Sequence, residues 1–140
     1  MGEETVNTKL VAVLNKTIET GKVMNALAHM CIGLGTHIGK TALRLTDYTD
    51  ADGGSHPFIS ELPFIILSEN SNNIRKLRHE AIANAIIFND FTDTMTVGTY
   101  QEQIARTLQT TEDHLTYYGI VLFGDWDKVT ELTRRFSLWR

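Results

Sequence analysis

Apolar positions recur along this chain with two periods, and the places where the period changes outline its elements. A short apolar run over residues 9–14, Lys-Leu-Val-Ala-Val-Leu, reads as a buried strand. After Thr20 and Gly21 the period lengthens. Val23, Ala26, Leu27, Met30, Cys31 and Leu34 then fall at i, i+3, i+4, i+7, i+8 and i+11, which at ~100° per residue gathers them on one stripe of a helix over residues 22–34. An extended stretch over 42–48 and a strand over 64–68 follow. Asn70-Ser71 is a cap signal for a second helix that places Ile74, Leu77, Ala81, Ile82 and Ala85 on one face. Beyond it the pattern predicts a short run over 85–88, a helix through Tyr100, Ile104 and Leu108, a strand over 117–123, an amphipathic turn with Val129 and Leu132, and a last strand over 136–139.

This alternation predicts one α/β domain over residues 1–140, a sheet with helices packed on it. The sheet is expected to be mixed, because the connection from Ala42 to Ser68 offers no crossover helix. Residues 47–63 contain Gly53, Gly54, Pro57 and Pro63 and read as a loop or hairpin tip. With 140 residues, 42% of them hydrophobic, the chain can bury most of its apolar surface without covalent staples.

The helix over 22–34 carries a second feature. Lys22, Asn25 and His29, at i, i+3 and i+7, project together from a side that the apolar stripe does not use. That side starts at a helix N-terminus, where unpaired N–H groups and the macrodipole favour an anion. Lys22 follows a strand and a Gly turn, so its ammonium can curl over the carboxyl end of the sheet, where open α/β folds bind ligands. A Lys and a His two turns apart are also groups from which an acid/base site is assembled.

Strand, turn, Gly21-Lys22, a helix rich in small residues and His29 resemble the opening of type II peptidyl-tRNA hydrolase, the archaeal and eukaryotic class. More closely, the chain from Lys9 to Trp139 resembles an uncharacterised, mainly bacterial family held to share that fold. The resemblance implies a type II peptidyl-tRNA hydrolase-like three-layer α/β fold. A weaker echo lies at Asp90, Phe91, Thr92, Asp93, Thr94 and Met95: the hydrolases have an Asp-led loop with a Thr four residues on, matched by Asp90 and Thr94. Asp90 beside Lys22 would keep the ammonium charged. Thr92, Asp93 and Met95 align where that family usually shows Gly, Arg and Gln, and Ala26 where it has Gln. The first loop is also two residues shorter. These exchanges remove groups suited to phosphate or ester recognition.

Three other motifs do not hold. With Gly53 as the sixth position of a calcium loop, Tyr48 would be first and Ile59 twelfth, where oxygen ligands are required. Gly33, Gly35 and Gly39 end a helix where a dinucleotide fingerprint would begin one, and read as a C-cap and turn. Histidines 29, 37, 56, 79 and 114 lack metal-ligand spacing, so no metal and no cofactor is expected. Cys31, the single cysteine, reads as a small buried hydrophobe in a reducing compartment. The net charge of −4 gives no general footprint for nucleic acid. The acidic opening residues lack an apolar leader, and no stretch reaches the ~18 apolar residues of a membrane span, so a cytoplasmic protein is expected. Phe123, Trp126, Phe136 and Trp139 read as core or as the interface of a homodimer, the latter in keeping with the hydrolases.

The expected site is therefore a polar cleft in which Lys22, His29, Asp90 and Thr94 supply chemistry and Gly21 and Asn25 contact ligand. It would bind a small anionic or nucleotide-like molecule. In a hydrolytic version, Lys22 would stabilise an oxyanion, Asp90 would position Lys22, and His29 or Thr94 would hold water or substrate. The rivals are true peptidyl-tRNA hydrolysis and a non-enzymatic interaction module; the acidic charge disfavours tRNA as partner.

Overall fold

A computed structural model describes residues 6–140; the first five residues of the acidic opening lie outside the described part. Strand β1 (Thr8–Asn15) lies at the centre of a five-stranded mixed sheet, with β4 (Phe64–Glu69) parallel to it on one side and β6 (Tyr117–Asp125) antiparallel on the other. Strand β5 (Ile87–Thr92) extends the sheet beyond β6, and the two-residue β7 (Ser137–Leu138) closes the far edge against β4, giving the order β5-β6-β1-β4-β7. The segment 45–60 forms a separate hairpin of β2 (Leu45–Thr49) and β3 (Ser55–Ser60). Its tip is closed by Asp50, whose carboxylate accepts from the N–H groups of Asp52 and Gly54.

β1 is apolar on both sides because both of its faces are covered. Leu10, Ala12 and Leu14 meet Val23, Ala26, Met30 and Leu34 of helix α1 (Thr20–Ile38), whereas Val11 and Val13 meet Ile74, Leu77 and Ala81 of α2 (Ser71–Ala83). Val129 and Leu132 of α4 (Trp126–Thr133) join the α2 side, which completes a helix, sheet, helix sandwich. Burying Val23, Met30 and Leu34 contributes about 1.5–3 kcal/mol each and sets the rotation of α1. The expected stripe is present, although Leu27 and Cys31 at its margin are only partly buried.

Several boundaries differ from the sequence expectation. Helix α1 runs through Gly33 and Gly35 and stops at Gly39, whose φ of +88° ends it. A glycine inside a helix costs roughly 0.5–1 kcal/mol relative to alanine. Gly33 has a packing reason, since a Cβ there would lie 2.7 Å from Asn89 Nδ2; Gly35 has none, since the nearest atom, Leu43 Cδ1, would be 3.8 Å away. In α2 the Asn70 side chain caps the helix by accepting from Asn73 N–H at 2.9 Å. Ile82, however, is 53% exposed, because i+8 from Ile74 has rotated off the buried stripe, and Ala85 lies past the helix end. The short run at 85–88 extends as β5 through Asp90 to Thr92, because pairing with β6 continues to Tyr117. Helix α3 (Tyr100–Leu108) buries none of its residues.

Candidate functional site

Because α1 follows β1 onto one face and α2 follows the parallel β4 onto the other, the chain departs in opposite directions from the carboxyl ends of two adjacent strands. Such a switch point leaves a crevice between the two connections, and ligands of open α/β sheets bind there. The β1–α1 turn that forms one wall is held by Asn15, 1% exposed at the end of β1. Its amide donates to the Tyr117 carbonyl at 2.8 Å, and its carbonyl oxygen accepts from both the backbone N–H and the hydroxyl of Thr17, at 2.9 and 2.7 Å. Lys16 N–H bonds the Glu69 carbonyl, which ties the turn to the end of β4.

Beside this turn lies a cavity of about 580 Å³ lined by Lys16, Ile18, Thr20, Ser68 and residues 137–140, Ser-Leu-Trp-Arg. Two cations, Lys16 and Arg140, and three hydroxyls, Thr20, Ser68 and Ser137, face one space, and no Asp, Glu or His side chain lines it. Glu69 stands near enough to feel Lys16. Burial pushes its carboxyl up, but hydrogen bonds from Asn73 and Asn70 together with Lys16 and Arg135 hold it below the usual carboxylate value.

The residues singled out in the sequence fall elsewhere. Lys22, Asn25 and His29 do share one exposed flank of α1, turned toward β5: the His29 ring lies 6.1 Å from Phe91. Lys22 is 58% exposed and pairs with Glu19 at 3.6 Å. Gly21 has open space where a Cβ would be. Asp90 does not join them. Asn89 donates to the Met30 carbonyl of α1 and Phe91 packs in the α1-side core, so strand alternation turns Asp90 to the α2 face. There it accepts from Arg78 Nε at 2.9 Å, and the expected Lys22–Asp90 pair is replaced by Arg78–Asp90. Burial raises the Asp90 carboxyl above its ordinary value despite Arg78. Thr94 is buried in a chain of hydroxyls, 2.8 Å from Thr92 Oγ1 and accepting from Thr107 Oγ1 at 2.8 Å.

The remaining residues of that segment have structural partners too. Asp93 exchanges bonds with Thr116, its N–H donating to the Thr116 carbonyl and its carboxylate accepting from Thr116 N–H. Met95 Sδ accepts from Thr92 N–H at 3.4 Å. Behind Asp90, Arg75, His79, Glu112 and Tyr117 form a further polar cluster. The Tyr117 hydroxyl donates to Glu112 at 2.5 Å, His79 lies 3.0 Å from the same carboxylate, and Arg75 Nε lies 3.7 Å from it. Burial, then the Glu112 bond, push the Tyr117 phenol well above its usual value. Among the described residues no group of three His, Cys, Asp or Glu side chains could hold a metal, and no helix is long and apolar enough to cross a membrane.

Sequence reasoning missed Lys16, Thr20, Ser68, Ser137 and Arg140 as a group. Only Asn15-Lys16, two polar residues directly after an apolar strand, offered a signal.

A layered α/β domain with a polar crevice at its switch point is the class that fold and geometry define. The chain belongs to DUF2000, a family described as protein of unknown function, whose profile matches residues 8–140. A solved structure of a protein of unknown function from Agrobacterium tumefaciens has the same fold, with a TM-score of 0.81 at 17% identity, covering 97% of this chain and 100% of that one. No curated protein matches.

Proposed function

We propose that this protein binds a small anionic ligand, one bearing a phosphate or carboxylate group, in the crevice at the carboxyl ends of β1 and β4. The observation that carries the reading is the coincidence of a switch point with a cavity holding Lys16, Arg140 and three hydroxyls. Its 580 Å³ fall within the ~300–1,000 Å³ of small-molecule sites. Lys16 and Arg140 supply charge, while Thr20, Ser68 and Ser137 fix orientation through hydrogen bonds.

The reading is one of binding without covalent chemistry. General acid/base catalysis requires a titratable group near neutral pH within reach of the ligand, and neither His, Asp, Glu nor Cys lines this cavity. We read the scaffold as type II peptidyl-tRNA hydrolase-like, supported by its Gly21-Lys22 turn and small-residue helix. The hydrolytic reading is disfavoured because Asp90 is engaged by Arg78 and Thr94 by two hydroxyls. N-blocked aminoacyl-tRNA should accordingly be turned over poorly or not at all.

Calorimetric titration with pyrophosphate tests the site. Lys16→Ala should weaken binding roughly 10- to 100-fold, the loss of one charged hydrogen bond, whereas Lys22→Ala should leave it unchanged. Weakening by Lys22→Ala alone would move the anion to the β5 flank of α1 and reject the crevice.

A further inference from the structure

A second cavity, on the opposite flank of α1 from His29, has a different character. It encloses about 220 Å³ between α1, the main sheet and the β2–β3 hairpin, with Leu10, Leu34, Leu43, Ile59 and Phe64 among its walls and Phe58 beside them. The hairpin strands make no ladder with the main sheet; they lie over the cavity, and the Ser60 hydroxyl ties them to its rim by donating to the Leu43 carbonyl at 2.5 Å. Phe58 holds φ at +63°, a conformation that bulky side chains rarely adopt, and its N–H donates to Asp47 at 3.2 Å. Backbone held against its preference points to something the ring does there. The Lys40 ammonium stands 4.5 Å from the centre of that ring.

Gly35 lines this cavity, and in the body of α1 no neighbour crowds the side chain it lacks, since the nearest atom to a Cβ would be Leu43 Cδ1 at 3.8 Å. Alanine would fit without collision and would suit a helix better. What its Cβ would occupy is the cavity.

We propose that this cavity binds the hydrocarbon chain of a short monocarboxylic acid, with the carboxylate at the mouth against Lys40. Apart from Ser60 the walls are apolar, the Lys40 ammonium stands on the ring of Phe58, itself a lining residue, and at roughly 30 Å³ per water-sized group the space holds about seven such groups. An aliphatic acid of about eight carbons matches both ends.

Cys31, half-buried in the wall, supplies the readout. Its alkylation by iodoacetamide at mildly alkaline pH should slow in the presence of octanoate by 1 + [L]/Kd, about fivefold at four times Kd. Octanol should protect less, and Lys40→Ala should bring octanoate down to the level of octanol. Gly35→Val should abolish protection; Gly35→Ala, the gentler filling, should weaken it while raising the melting temperature. Absence of protection by octanoate in the unmodified protein would overturn the proposal, as would protection that survives Gly35→Val. Equal protection by octanol and octanoate would overturn the assignment to an acid.

Discussion

The two faces of the sheet are covered by different means. On the α1 face, Leu10, Ala12 and Leu14 meet Val23, Ala26, Met30 and Leu34 through apolar contact, with one polar tie at its border from Asn89 to the Met30 carbonyl. On the α2 face a similar apolar centre is bordered by directed polar bonds, Arg78 to Asp90 and Tyr117 and His79 to Glu112, with Arg75 donating to the Leu115 carbonyl. Apolar contact is non-directional and leaves gaps where side chains do not mesh, and the apolar cavity with Cys31 lies on the α1 face. The lesson is that the most conspicuous ionisable groups on the α2 face are occupied with one another, whereas the apolar cavity opens on the face where charge is sparse.

The contrast is broken most severely by Arg78→Leu. It leaves Asp90 shielded and without a cation, at a cost of about 3 kcal/mol at pH 7 by chemical denaturation. The sign with pH follows from the raised Asp90 carboxyl. Its folded form holds a proton more tightly than its unfolded form, so stability falls as pH rises through that window and recovers below it. The gap between variant and wild type should therefore narrow in acid; a pH-independent gap would mean that Arg78 acts by packing. A smaller effect, about 1–3 kcal/mol, is expected for Asn15→Ala, which leaves the Tyr117 carbonyl and the Thr17 N–H without their partner. Loss of anion affinity larger than the loss of stability explains would place Asn15 among the groups that shape the crevice. The smallest change belongs to Lys22→Ala: the side chain is exposed and its pair with Glu19 is a surface one, so the melting curve should stay within about 0.5 kcal/mol of wild type.

A sheet with helices packed on it was legible because it rests on periodicity, which β1, α1, α2 and β6 display over many residues. The sheet is mixed for another reason than expected: β4, at the end of the connection without a crossover helix, is parallel to β1, and the antiparallel members are β6 against β1 and β5, and β7 against β4. The placement of Asp90 was not legible. In a strand one step in register exchanges the two faces, so reading residues 89–95 as a loop concealed which side the carboxylate takes. Lys22, Asn25 and His29 were correctly placed on one flank because helical phase is arithmetic. Whether that flank is concave depends on β7 and β5, one more than a hundred residues away in sequence, and no local pattern carries that information. The crevice residues Lys16, Ser68 and Ser137 are brought together by β1–β4 and β4–β7 pairing, which spacing alone could not supply.

The pairing of β1 with β6 sets a timetable for synthesis. Leu10 to Leu14 emerge first, yet their antiparallel partners, Gly119 to Phe123, are added more than a hundred residues later. At about 5–20 residues per second, the ribosome leaves that apolar strand half-paired for on the order of ten seconds. During this interval only β4, α1 and α2 are there to shelter it. A nascent chain stalled before Tyr117 should therefore be a client for holding chaperones, and one released after Asp125 should not.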